Sequence, residues 1–232
     1  QYEPFVRIVV TGTNILWYTT LGGGAGTAVA PVVNTSLPGI SDYYVSQTDT
    51  LGCESHRLHI HVVVYARPAA PVAAPLHYCQ YSPSFLLTAA GSALIWYGPG
   101  VTAGSGIPPI PSTALTGIYD YYVTQTINGC VSDSALVVVT VDSTPGPPAV
   151  LSNSPVCEGD TLHLLSVSPT AGVSYLWLGP AAFTDTRQNP FIQNVLPAAS
   201  GIYTLTVTLG SCSATAFLTV SVIPSPPLTV GA

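Results

Sequence analysis

The chain has 232 residues, of which 47% are hydrophobic and only 6% charged, with 4 Lys+Arg against 10 Asp+Glu and a formal net charge of -6. So few cations exclude a binder of the phosphate backbone. So much hydrophobicity excludes disorder, which needs the opposite composition, and no apolar run reaches the ~18 residues of a membrane-spanning helix.

The first element is QYEPFVRIVVTGTNILWY, residues 1–18, and it aligns without a gap on QYSPSFLLTAAGSALIWY, residues 80–97. Gln1 falls on Gln80, Tyr2 on Tyr81, Pro4 on Pro83, Gly12 on Gly91 and Trp17 on Trp96. The second stretch is preceded by Cys79. Copy one closes with DYYVSQTDTLGCESHRLHIHVVV and copy two with DYYVTQTINGCVSDSALVVVTV. Copy three is more divergent but keeps the order VCEGDTLHLLSV, VSYLWLGP, SGIYTLTVTLGSCSATAFLTVSV. The second cysteine of each copy, at Cys53, Cys130 and Cys212, recurs after 77 and then 82 residues. That period is too long for most solenoid units and suits a small β-sandwich.

Within the copies, VVVTV and FLTVSV are β-branched runs, and YTLTVT alternates apolar and polar as a half-buried strand does. No stretch keeps a helical period beyond about two turns. The expected fold is all-β, with three tandem immunoglobulin-like sandwiches at 1–67 (incomplete at its start), 68–143 and 144–223, and residues 224–232 as a linker or the start of another copy. The proline-rich ARPAAP (66–71), STPGPP (143–148) and PSPP (224–227) are read as short semi-rigid joints. In copy three, GDTLHLLS reads as a turn entering strand B, Trp177 as the buried Trp of strand C, and Tyr203 as a tyrosine corner opening strand F. The positions that carry a B–F disulfide in antibody domains are then Ser166 and Leu205, so packing is expected to replace that bond.

The elements LWY, DYYV, QT, GC and a terminal V-rich strand resemble the Ig-like tandem repeats of Bacteroidetes secreted and cell-surface proteins, the modules found beside gliding-motility-type and type IX secretion sorting domains. The resemblance covers nearly the whole chain. It implies an extracellular, repetitive, non-catalytic protein, since such modules serve as stalks, adhesins and spacers. No sorting domain lies within these residues.

Five Cys and no CxxC pair leave zinc ribbons and thioredoxin-like centres unsupported. The pattern suits an oxidising compartment. Two pairing schemes stay open. Cys157 precedes the turn into strand B and Cys212 follows the F–G turn, at opposite ends of an immunoglobulin sandwich. Tyr203 to Thr208 alone spans roughly 17–20 Å at ~3.3 Å per residue, whereas a disulfide tolerates a Cα separation of roughly 7 Å at most. In a tandem array the first cysteine of one copy meets the second of the next, giving Cys79–Cys212. Cys130 then pairs with a cysteine expected just ahead of Gln1, and Cys53 and Cys157 face neighbouring domains or chains. The other scheme is intradomain, Cys79–Cys130 and Cys157–Cys212, with Cys53 alone. The chain, which lacks Met, is expected to be a processed product or a segment cut from inside a longer protein.

Other candidates are weaker. His59 and His61 share one strand face with His56 close by, but no acidic partner is evident in sequence. The expectation is a solvated face without metal. Trp17-Tyr18, Trp96-Tyr97, Tyr43-Tyr44 and Tyr121-Tyr122 should each put one ring inward by alternation, leaving the outward ring for glycans or a subunit. GTAVAP and GSGIPP are turns, not phosphate loops, because no Lys-Ser/Thr follows. Glu158, Asp160 and Asp185 have no acid–base partner, so no catalytic set and no cofactor is expected. Asn34-Thr35-Ser36 is a sequon. Asp-Ser/Thr-apolar steps at Thr50, Ser134, Ser143 and Thr161 resemble the O-glycosylation motif of Bacteroidetes secreted proteins. The expected function is a structural segment of an extracellular fibre, stalk or adhesin, self-associating through V-rich edge strands. Glycans are a further candidate partner, and no nucleic acid or membrane span is expected. The alternative is a carbohydrate-binding or spacer module of a secreted hydrolase.

Overall fold

A computed structural model describes residues 5–226. Gln1, Tyr2, Pro4, any cysteine ahead of them and the LTVGA segment lie outside the described residues. The described chain is built of strands, with a single 3-10 turn at Pro197–Ala199, and no described helix is long and apolar enough to cross a membrane. The architecture is tandem Ig-like β-sandwiches. Among the described residues two compact units emerge from the packing, one of residues 5–72, 90–95 and 123–135, the other of residues 73–89, 96–122 and 136–226.

Copy three shows most plainly how sequence becomes sandwich. One sheet has the order Ala149–Ser152, Leu162–Val167, Phe191–Ile192; the other runs Phe183–Asp185, Ser174–Gly179, Gly201–Leu209, Cys212–Val220. Along Leu162–Val167 burial alternates, with Leu162, Leu164 and Ser166 inward, because successive side chains of a strand leave opposite faces. Gly201–Leu209 does the same with Tyr203, Leu205 and Val207. Leu162, Leu164, Tyr203, Leu205 and Val207 form one apolar core with Trp177. Each such side chain contributes roughly 1.5–3 kcal/mol on burial.

Tyr203 is a tyrosine corner, its O–H donating to the Ala199 carbonyl at 3.1 Å. Ser166 and Leu205 are both buried, and no cysteine bridges strands B and F. In its place Gln188 knits the region together. Its carbonyl accepts from Trp177 Nε1 at 3.2 Å and Ser166 Oγ at 2.9 Å, and its Nε2 donates to the Ser166 carbonyl.

Copy two forms a five-stranded sheet in the order Leu76–Cys79, Ala135–Asp142, Gly117–Thr124, Ile95–Gly98, Val101–Ser105. Its VVVTV run is therefore an interior strand, with Val137, Val139 and Val141 buried, and not the exposed edge expected for it. The parallel addition of Leu76–Cys79 along Val139–Asp142 covers that edge. Copy two repeats the corner of copy three, with Tyr119 donating to the Leu115 carbonyl at 2.9 Å. In both copies a glycine two residues after the buried Trp makes room beneath strand F. A Cβ on Gly98 would sit 2.7 Å from the Tyr121 ring, and one on Gly179 would sit 2.4 Å from the Tyr203 ring.

Copy one pairs Leu16–Tyr18, Gly39–Ser46 and Leu58–Val64 in a three-stranded sheet, with Phe5–Arg7 on Val32–Asn34 apart from it. Here the alternation expected of the Trp-Tyr pair fails, since Trp17 and Tyr18 are both buried. The following loop folds back over the strand, exchanging two backbone hydrogen bonds between Trp17 and Thr27 and laying Gly26 against the Tyr18 ring. In copy two the pair does alternate, with Trp96 buried and Tyr97 exposed.

Candidate functional site

The chemistry with the clearest built geometry lies where copy two meets copy three, wholly inside the second compact unit. Cys79 ends the strand Leu76–Cys79 and stands in parallel register opposite Asp142. It is held there by the turn that follows. The Cys79 carbonyl accepts from Ser82 N at 3.0 Å and Ser82 Oγ at 2.7 Å, while Gln80 N donates to the Asp142 carbonyl at 2.8 Å. Cys212 opens the last long strand opposite Leu209, across a two-residue turn, Gly210-Ser211, whose glycine takes φ +60. Glycine first in a two-residue hairpin suits the sharp reversal that such a turn requires.

Cys79 and Cys212 are joined by a disulfide with a Cα separation of 5.6 Å across 133 residues of sequence. The bond thus links the first cysteine of one copy to the second cysteine of the next. It overturns the intradomain alternative, because Cys79–Cys130 and Cys157–Cys212 would need the same two thiols. The Asp142 carboxylate flanks the bridge, accepting from Ser211 Oγ at 3.2 Å.

The remaining cysteines, Cys53, Cys130 and Cys157, are free thiols. Cys157 sits in parallel register opposite Ile223, the place in copy three that Cys79 holds in copy two. Cys130 follows the Asn128-Gly129 turn, in which both residues have positive φ, and pairs with Ile127. This is the Asn-Gly hairpin chemistry that sequence inspection passed over. Cys53 closes a loop one residue longer, in which Asp49 Oδ1 accepts from Leu51 N at 2.9 Å and Cys53 N at 2.8 Å.

Inside the first unit, Arg67 pairs with Asp133 at 2.7 Å and donates to the Val131 carbonyl at 3.2 Å. Cys130 and Val131 line an open apolar groove of about 950 Å³ with Val6, Ile8, Val33 and Val63.

Copy one carries two polar clusters of its own. Tyr18 Oη and Ser46 Oγ both donate to Glu54 Oε1 at 2.5 Å. The Arg57 guanidinium lies 3.3 Å over the Tyr18 ring and donates to the carbonyls of Thr20 and Gly23. The Ser46 and Tyr18 hydrogen bonds hold the Glu54 carboxyl below its ordinary range.

The second cluster corrects the reading of the histidine face. An acidic partner does lie there, across the sheet and not along the chain. Asp42 Oδ1 is 2.8 Å from His59 Nε2 and 2.7 Å from His61 Nδ1. The antiparallel register puts Asp42 directly opposite His61, a pairing invisible until the strands are aligned. His56 lies outside the cluster.

The four Ser/Thr glycosylation candidates all fall in loops. Thr50, Ser134 and Ser143 are exposed and Thr161 is half-buried. Asn34 of the sequon accepts from the Ser36 amide through Oδ1 at 2.9 Å.

No family model matches the chain, and no curated protein matches it. Among solved structures it is similar to the I-band fragment I67-I69 of titin, at 14% identity and a TM-score of 0.39 over 97% of this chain and 89% of that one. It is also similar to the N-terminal eight Ig domains of DSCAM isoform 1.30.30, at 11% identity and a TM-score of 0.41 over 95% and 32%. A third likeness is to Sidekick-1 immunoglobulin domains 1-4, at 16% identity and a TM-score of 0.35 over 90% and 67%.

Proposed function

We propose that this chain is a structural segment of an extracellular fibre, stalk or adhesin of the Bacteroidetes repeat type, with copies at 1–67, 68–143 and 144–223 serving as links. The observation that carries the reading is the Cys79–Cys212 bridge from the first cysteine of one copy to the second of the next. A bond within a sandwich stabilises that sandwich alone, whereas a bond across a joint makes two sandwiches move as one. Disulfides persist in oxidising compartments, which favours an extracellular location.

In this scheme Cys157 is the counterpart of Cys79, and Cys53 and Cys130 are counterparts of Cys212. Cys53 and Cys157 then engage matching cysteines of adjoining copies or neighbouring chains. Sugars on Thr50, Ser134, Ser143 and Thr161 would supply the hydration that a surface so poor in charge lacks. Peptide mapping of the native material without reductant tests both points. The expected result is a crosslinked peptide pair containing Cys79 and Cys212, with hexose on loop peptides. A Cys79–Cys130 or Cys157–Cys212 pair would sink the covalent joint, and unmodified loop peptides would remove the sugars.

A further inference from the structure

We infer that Asp42, His59 and His61 form a surface site for a divalent transition ion of the zinc class, with three protein ligands and the remaining coordination left to water. The three donor atoms, one from each side chain, lie within 4.8 Å of one another. All three residues are exposed, on two strands paired in fixed register, so the backbone holds them together whether or not an ion is bound.

The donor set and geometry both suit the ion. Two imidazoles and one carboxylate are ligands that zinc accepts, and three protein ligands plus water is a recurrent zinc arrangement. With bonds of ~2.0–2.1 Å, neighbouring ligand atoms of a zinc tetrahedron stand about 3.3 Å apart. The carboxylate–imidazole distances here are 2.8 and 2.7 Å. Admitting an ion of that size takes two side-chain movements: each carboxylate–imidazole distance opens by about half an ångström, and the two imidazole nitrogens, up to 4.8 Å apart, close toward the same spacing. Tyr44 stacks on the His59 ring with centroids 4.9 Å apart and planes at 15°, which limits the orientations that ring can take.

Stability alone does not account for the cluster. Exposed carboxylate–imidazole pairs contribute little, and here both imidazoles converge on one carboxylate oxygen, Oδ1, instead of taking one each. Copy two provides an internal contrast. It has an aspartate at the equivalent place, Asp120, in the same DYYV run, but its following strand carries Leu136 and Val138 where copy one has His59 and His61. The fold therefore does not require the histidines.

The test is titration of the full chain, its free thiols first alkylated, with zinc chloride. Calorimetry reads the stoichiometry and NMR follows the histidine ring signals. One ion per chain is expected, with the His59 and His61 resonances moving together. His61→Ala and Asp42→Asn should each weaken binding at least about tenfold, a loss of the size seen when groups supporting a metal site are removed, while His56→Ala should leave it unchanged. NMR spectra of each variant confirm that copy one remains folded. The inference fails if wild-type protein shows no saturable uptake up to millimolar zinc, or if folded His61→Ala binds zinc as tightly as wild type.

Discussion

Copies one and three share a run of three antiparallel strands, Leu16–Tyr18, Gly39–Ser46, Leu58–Val64 in one and Ser174–Gly179, Gly201–Leu209, Cys212–Val220 in the other, yet they are held together by different means. In copy three the corner tyrosine Tyr203 and Trp177 share one apolar core, and Gly179 leaves room for the Tyr203 ring. In copy one the corresponding corner position is Ser41 and the residue two after its Trp is Thr19. The apolar clasp is gone, and the Glu54, Tyr18, Ser46 and Arg57 network stands beside the sheet in its stead. The lesson is that this sandwich tolerates exchange of an apolar clasp for a polar one. The two solutions should then respond differently to truncation and to acid.

The largest break in that contrast comes from the core of copy three. Trp177→Ala removes a fully buried indole, and loss of a buried Trp costs about 3–5 kcal/mol when the cavity does not collapse. Urea unfolding followed by amide NMR, which reads the copies separately, should show copy three melting early while the copy one signals stay in place. A shift under about 1 kcal/mol would mean that the core described for copy three does not carry its stability.

A smaller change sharpens the same comparison. Tyr203→Phe keeps the ring and deletes only the hydrogen bond to the Ala199 carbonyl, so copy three should lose about 1 kcal/mol. Tyr119→Phe should cost copy two a similar amount through the Leu115 carbonyl. Copy one has no such bond to lose at Ser41. Equal behaviour of Tyr203→Phe and wild type in the same urea experiment would demote the corner to space-filling.

What could be read from the residues, and what could not, follows the same division. The β class, the inward Trp177 and the Tyr203 corner were legible, because each rests on period or spacing, whereas the Cys79–Cys212 pair was one of two schemes the sequence left open and is decided by the structure. The Tyr119 corner carries the same signal, in the GIY shared by residues 117–119 and 201–203, although the rest of copy two is more like copy one, which lacks it. The Asp42 partner of the histidines was hidden for a different reason. Asp42 and His61 are 19 residues apart and meet only through cross-strand register. Likewise nothing local announces that the loop ahead of Thr27 closes over Tyr18, or that Leu76–Cys79 covers the Val-rich strand. Both are placements of chain against chain, and periodicity carries no information about them.

The smallest expected effect concerns acid. Glu54 has its carboxyl pulled below the ordinary value by Ser46 and Tyr18. A carboxyl depressed in the folded state contributes stability that is present above its unfolded pKa and is lost as pH falls through the folded one. The loss should therefore begin below about pH 4.3, the ordinary glutamate value, and grow toward lower pH. Asp42, depressed by His61 and then His59, adds to the same trend in copy one, and Asp185, depressed by Arg187, gives copy three one of its own. Acid sensitivity as such therefore does not separate the copies, and only the part due to Glu54 does. Glu54→Gln should flatten the pH dependence of copy one below pH ~4 and leave that of copy three untouched. Tyr18 and Ser46 can still donate to the amide oxygen, which keeps the fold intact for the measurement. If NMR-monitored acid titration gave superimposable copy one profiles for Glu54→Gln and wild type, the polar clasp would be a surface decoration and the contrast between the copies would reduce to their cores.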